Sequence, residues 1–285
     1  MVVMLSIMGL LESCGILHRV VVLLEPILKP AGLSGLSVMA ALQINFVGIA
    51  APDGTLALMD RRGVSERRLA STLAMVMAMA QANVVLPMAS MGLHVGKTLL
   101  LSLIGGLVAS MAAWYVFART LPTCEVAADA APAQPEAERS RGILAIINTS
   151  GQEAFRISVG VMPMLVLALV CIALLQHLGV LFQITALLAP ALQPVLLDPA
   201  IILPTLTKYL AGGTAALGLF SDMQRAGTLD ARLLDDSAGW LIHALDLPGF
   251  AILVSAGKRV ACVWKPAVLA AGVGIGSRTL LHVMF

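Results

Sequence analysis

Residues 10–30, LLESCGILHRVVVLLEPILKP, return 164 positions later as residues 174–194, LLQHLGVLFQITALLAPALQP, with no gap. The match runs outward from there, and its punctuation coincides as well as its leucines. Gly15 falls on Gly179, Pro26 on Pro190, Pro30 on Pro194, Gly48 on Gly212, Gly54 on Gly218, Arg61 on Arg225, Gly63 on Gly227 and Arg68 on Arg232. Of the first 69 pairs, 21 are identical. After a three-residue slip Leu86-Pro87 meets Leu247-Pro248 and Gly96-Lys97 meets Gly257-Lys258. Shared apolar composition does not align glycines, prolines and arginines, which mark breaks and loop ends. The chain is one unit written twice, the mark of many transporter folds.

Of its 285 residues 59% are apolar and 12% charged, against about 45–50% and 25% in a soluble domain. Mean hydropathy is +0.94, and the apolar residues fall in runs close to the roughly 20 that a helix needs to cross hydrocarbon. This excludes a soluble globular enzyme and predicts an all-α integral membrane protein. A net charge of +2, with no basic cluster interleaved with aromatics, excludes a nucleic-acid partner. Cys14, Cys124, Cys171 and Cys262 are scattered singly, without the spacing of a metal site. No metal or cofactor is expected, and Met75, Met77, Met79, Met88 and Met91 read as core filling. No Ser-His-Asp, HExxH, Walker or GxGxxG arrangement appears. Met1 opens directly into an apolar stretch with no basic segment ahead, which reads as a short first membrane helix and not as a cleaved signal.

Three regions follow: a first repeat over 1–119, a linker with an amphipathic interfacial helix over 120–156, and a second repeat over 157–285. The linker segment TLPTCEVAADAAPAQPEAERSRG, 120–142, has no apolar periodicity and reads as aqueous. Within each repeat the second apolar piece is unusual. Residues 33–59 carry Gln43, Asn45, Gly48, Pro52, Asp53 and Gly54, and 195–221 carry Pro204, Lys208, Gly212, Gly213 and Thr214. Breakers and polar groups cannot face lipid in mid-run, so these pieces are broken helices or re-entrant hairpins buried in protein. If they re-enter, each repeat has about three transmembrane helices and the two repeats are inverted. With Lys208, Lys265 and Arg278 set aside as lying inside apolar pieces, that arrangement puts 12 of the remaining 15 Lys and Arg on one side. The positive-inside bias then makes the linker and the Arg-rich 60–68 loop cytoplasmic.

The site residues are expected in those broken pieces. Asp53 lies in Ala51-Pro52-Asp53-Gly54, where Pro and Gly suggest an unwound turn with free backbone groups; it either binds a solute or ion or caps the next half-helix. Asn45, two turns earlier, either shares a cavity with it or bonds another helix. Lys208 pairs with a carboxylate, binds an anionic group, or snorkels. Gly212-Gly213-Thr214 allows close backbone approach, for a solute or for packing. His243 and Asp246 precede Pro248 and are expected on one helical face beside a kink, as a proton-sharing pair or a structural bond. The matching helix of the first repeat carries Gln81 and Asn83 before Pro87, and Glu12 lies in the first helix.

INFVGIAAPDGTLALMDRRG, followed by QANVVLP, resembles the Gate or nucleoside-recognition membrane domain, and specifically spore-maturation membrane protein A; LTKYLAGGTAALGLF is similar to the matching segment of spore-maturation protein B. The chain therefore resembles a fusion of the two. The same domain name covers parts of concentrative nucleoside transporters and of the ferrous-iron transport protein B. In the nucleoside transporters, the resemblance implies, a hairpin Glu before the proline contacts the nucleoside; here Ala51 stands before Pro52. The expectation is a carrier in the cell inner membrane for a small polar metabolite, nucleoside-like ligand or ion, with Asn45, Gly48, Pro52, Asp53, Gly54, Lys208, Gly212, Gly213 and Thr214 around the solute. Asp53, His243 and Asp246 are the expected coupling residues. The alternative is a non-transporting assembly component, and either could form a homo-oligomer.

Overall fold

The computed structural model describes residues 28–123 and 201–285 as continuous stretches, and single positions at 19, 23 and between 144 and 183. The duplicated stretch at 10–30 and 174–194, Glu12, and the linker and interfacial helix of 120–156 lie largely outside the described residues. Among the described residues the chain is all-helical.

The first half contains α1 (Gly35–Phe46), α2 (Ala51–Arg61), α3 (Glu66–Ala78), α4 (Ala82–Ala89) and α5 (Val95–Ala112), the last running on through a π turn at Ala113–Phe117. The second contains α6 (Ile202–Ala211), α7 (Gly213–Arg225), α8 (Ala231–Leu241), α9 (Leu247–Ser255), the short α10 (Lys258–Cys262) and α11 (Trp264–Met284). The order recurs: a hairpin of two half-helices, a second helix interrupted midway, then a long helix.

Local chemistry sets each interruption. Ser34 and Ser37 form a reciprocal cap that starts α1, and Ser37 Oγ reaches Thr72 Oγ1 of α3 at 2.7 Å. The chain leaves α1 at Val47 and turns at Gly48, whose φ of 135° is open to glycine alone. Pro52 then sits in the first turn of α2, where its missing N–H would have had no helical partner. The break therefore lies at 47–50, and the expected unwound turn at Pro52-Asp53-Gly54 is instead regular helix. In the second half, Gly212 at φ 90° ends α6 and starts α7 in one residue. Likewise Pro248 does not kink a continuous helix. It lies in the first turn of α9, whose N-cap is Asp246, and 242–246 are non-helical. His243 and Asp246 therefore do not share a helical face.

Among the described residues three helices, Glu66–Ala89, Val95–Phe117 and Trp264–Met284, are long and apolar enough to cross a membrane by length and composition. They differ in surroundings. The first is 89% buried over its most apolar window, whereas α5 and α11 are each 39% buried and turn Leu100, Leu103, Ile104, Leu269, Val273 and Leu280 outward. Contiguous apolar surface of that kind belongs in lipid or against a partner. The helix containing α3 is the core post, with every residue from Leu69 to Ala78 buried. Around it α5 and α11 cross at glycine: a Cβ on Gly274 would strike the Gly105 carbonyl and stand 2.7 Å from Ala109 Cβ, and one on Gly239 of α8 would stand 2.6 Å from Thr279 Cα. Backbones this close are the small-residue packing of membrane helices.

Near one end of this bundle the two halves are pinned by charge. Asp235 accepts the His94 amide at 2.9 Å, meets the His94 ring at 2.8 Å and Lys97 Nζ at 3.4 Å. Burial acts to raise the Asp235 carboxyl, but the His94 amide, Lys97 and the His94 ring together hold it below the usual carboxylate range.

Candidate functional site

Helix interruptions leave backbone groups without helical partners, and those groups need satisfying where water is excluded. Here they satisfy one another across the two halves. The Ala244 N–H donates to Met77 O at 3.0 Å, and Gln81 Nε2 donates to His243 O at 2.8 Å, so the α3–α4 break crosses the α8–α9 break. Ser102 of α5 accepts the Ala80 N–H at 2.6 Å and donates to Asn45 Oδ1 at 3.1 Å, tying the first hairpin to the same crossing.

Both hairpin tips arrive there too. A Cβ on Gly48 would come within 2.8 Å of Asn83 Oδ1, and one on Gly249 would strike Ile49. A Cβ on Gly212 would stand 3.5 Å from Pro248 Cγ and 3.8 Å from Asp246 Oδ1; one on Gly213 would be 2.8 Å from Val84 Cγ2. Thr214 lies 3.4 Å from Asn83 Nδ2. A larger residue at Gly48 would displace Asn83 and one at Gly213 would displace Val84, whereas Gly212 has ordinary contact distances and is held to glycine by its φ of 90°.

At the second tip sits a buried charge cluster. Lys208 is fully buried, which removes the snorkelling alternative, and its ammonium lies 2.8 Å from His243 Nδ1, 3.0 Å from Leu245 O and 3.7 Å from Asp246 Oδ2. It also sits 4.3 Å over the Tyr209 ring. The Leu245 N–H donates to His243 Nδ1 at 3.1 Å, and Nε2 lies 3.0 Å from the Tyr209 hydroxyl and 3.2 Å from Lys208 Nζ. Asp246 Oδ1 accepts the Gly249 N–H at 2.7 Å, and the Gly213 amide faces the same carboxylate. Its other oxygen has only the Lys208 charge, at ion-pair distance without a hydrogen bond. The first turn of α7 thus brings its positive end to a carboxylate already paired with an ammonium.

The structure therefore brings Lys208, His243, Asp246, Gly212, Gly213 and Thr214 together, and places Asn45 and Gly48 on the facing hairpin. Asp53 is in the first turn of α2 with one buried carboxylate oxygen unpartnered, and makes no side-chain hydrogen bond to the Lys208 cluster. Gly54 has open space where a Cβ would go, so it is not a point of close approach. Further unpartnered buried oxygens belong to Asn83 Oδ1 and Thr207 Oγ1. The sequence reading passed over Ser102, Tyr209 and Arg278; the last was set aside as an apolar-run residue, although a lone charge within a spanning helix is itself a signal. Among the described residues no group of three or more His, Cys, Asp or Glu is arranged to hold a metal.

No protein-family profile and no curated protein matches the sequence. Solved structures do. The chain is similar to CNTnw, a concentrative nucleoside transporter, in two intermediate states, with TM-scores of 0.69 and 0.70 at 18% identity. The alignments cover 99% of this chain and 74% and 73% of the transporter. Against CNTnw in an inward-facing substrate-bound state the TM-score is 0.67 at 16% identity, covering 99% and 72%. The chain has a nucleoside-transporter-like fold, that of an all-helical membrane protein.

Proposed function

We propose that the chain is a carrier-like, multi-pass membrane protein that moves a small polar, nucleoside-like solute by alternating access. The observation that carries this reading is the meeting of both hairpin tips with both helix breaks, where Asn83 and Thr207 keep buried oxygens without partners. Broken helices at the centre of a repeat pair are how carriers present backbone and side-chain groups to a solute. The transporter-like fold supports it, as do the neighbour's several conformational states. In this reading Asn45, Asn83, Thr214, the Gly48 and Gly212-Gly213 backbone and Asp53 face the solute, with Pro52 and Gly54 shaping the helix start below it. Lys208 anchors the cluster, and Asp53, His243 and Asp246 hold the coupling charge.

The two halves are inverted repeats inserted head to tail, with the linker and the 60–68 loop cytoplasmic. The Gate-domain and spore-maturation resemblance belongs to the same proposal. So does a second reading, a non-transporting assembly component, which the direct pairing of Lys208 with His243 favours.

The test is uptake of radiolabelled uridine and adenosine into proteoliposomes. Wild type is expected to exceed protein-free vesicles. Asn83→Ala and Asp53→Asn should each cut uptake about tenfold or more, the worth of one lost polar contact, with the melting temperature unchanged. Wild-type uptake equal to empty vesicles for nucleosides, nucleobases and carboxylates would leave the assembly reading in possession.

A further inference from the structure

Arg278 is the largest fully buried side chain among the described residues, and no carboxylate lies within ion-pair distance of it there. A guanidinium in that condition is costly to bury unless something else supplies negative potential. What it meets is carbonyl. Nη1 donates to Ala78 O at 2.9 Å and Nη2 to Ala238 O at 3.4 Å. Ala78 is the last residue of α3 and Ala238 lies in the last turn of α8. These are the ends of the first half-helices of the two interrupted elements, one from each half of the chain. A helix C-terminus carries about half a negative charge, so two converging ends amount to roughly one elementary charge, which one guanidinium balances.

The surroundings are cut to fit this side chain. On α5, a Cβ added to Gly105 would stand 3.0 Å from Arg278 Cβ and 3.1 Å from its Cδ, so glycine there leaves room for the stem. On α8, Gly239 lets the helix end press against the α11 backbone at 278–279. One turn on, His282 is fully buried with both ring nitrogens unpartnered, and Lys97 Nζ reaches its carbonyl at 3.4 Å. The Arg278 Nε is also without a partner. Converging half-helix C-termini are where carriers hold a monovalent cation.

We propose that Arg278 is a resident cation: it fills, as part of the chain, the position between the α3 and α8 ends that would otherwise draw a monovalent cation from solution. The charge balance of that crossing is then fixed by sequence and does not vary with the ions in the medium. Arg278 is a positioning residue, holding both breaks in register without itself needing to touch a solute.

Removing the side chain at its root should turn the position into a vacant cation site. The experiment follows unfolding of the purified full chain by the fluorescence of Trp114, Trp240 and Trp264, in low-millimolar guanidinium chloride against choline chloride at matched ionic strength. Arg278→Ala is expected to melt about 5–10 °C lower and to recover at least half of that with saturating guanidinium, with no effect of guanidinium on wild type. Arg278→Met, which refills the stem's space with apolar atoms, should fall as far and not respond. A structural stem without an electrostatic role predicts the reverse: Arg278→Met melting with wild type, or Arg278→Ala blind to guanidinium, and either overturns the proposal. If Arg278→Ala cannot be purified, membrane-inserted yield decides between Arg278→Lys and Arg278→Met. A higher yield of the lysine variant supports the resident cation and equal yields overturn it.

Discussion

At the scale of single residues the Lys208–Asp246 pair is the most exposed to error, because neither charge reaches water. Replacing one partner strands the other, at a cost of about 3–5 kcal/mol for a buried pair, whereas replacing both with neutral residues of similar volume is often close to neutral. Lys208→Met should therefore destabilise the protein far more than the Lys208→Met/Asp246→Asn double variant, and thermal melts of the two single variants and the double close the cycle. Additive losses would mean that the 3.7 Å approach carries no coupling. His243 bears on the outcome, since its Nδ1 also accepts from Lys208.

At the scale of elements, the α5–α11 crossing gives a prediction with an internal control. Gly274→Ala drives a methyl into the Gly105 carbonyl and Ala109, neither the end of a flexible side chain, so a loss of about 1–3 kcal/mol is expected. Gly272 lies two residues earlier on the same helix with nothing within 4 Å of its would-be Cβ. Gly272→Ala should be neutral or stabilising by up to about 1 kcal/mol, since alanine loses less backbone freedom in a helix. Chemical denaturation of both variants in one detergent tests the contrast. The same elements show what the sequence made legible. Gly48 and Gly212 fall on each other in the repeat, and both proved to be hairpin tips because a positive φ admits little else. The prolines misled: Pro52 and Pro248 are helix starters, and proline in a first turn obstructs nothing. His243 and Asp246 were misplaced for the same reason, since three-residue spacing puts side chains on one face only where the chain is helical. Asn83 and Arg278 could not be ranked at all, because their importance depends on which helix ends converge on them from far along the chain.

At the scale of the whole molecule, the proposed inversion makes a geometric demand. The loops at Gly63 and Gly227 are repeat-equivalent, so they must emerge on opposite faces of the bilayer. With Cys14, Cys124, Cys171 and Cys262 replaced, single cysteines near each position should label with a membrane-impermeant maleimide from opposite sides of oriented vesicles. Labelling of both from one side would make the repeats parallel and remove the basis for rocking one against the other. The demand is independent of what is carried.

The central post also constrains how such a chain is made. Its most apolar window is 89% enclosed, and part of that enclosure comes from α11, which is made some 200 residues after it. Early in synthesis the future interior has only lipid or a holding factor against its flanks, and the carbonyl end at Ala78 waits some 200 residues for its guanidinium. The post is walled in only once α11 is in place, so a stop codon near residue 264 would not remove one peripheral rod; it would leave the middle without its wall.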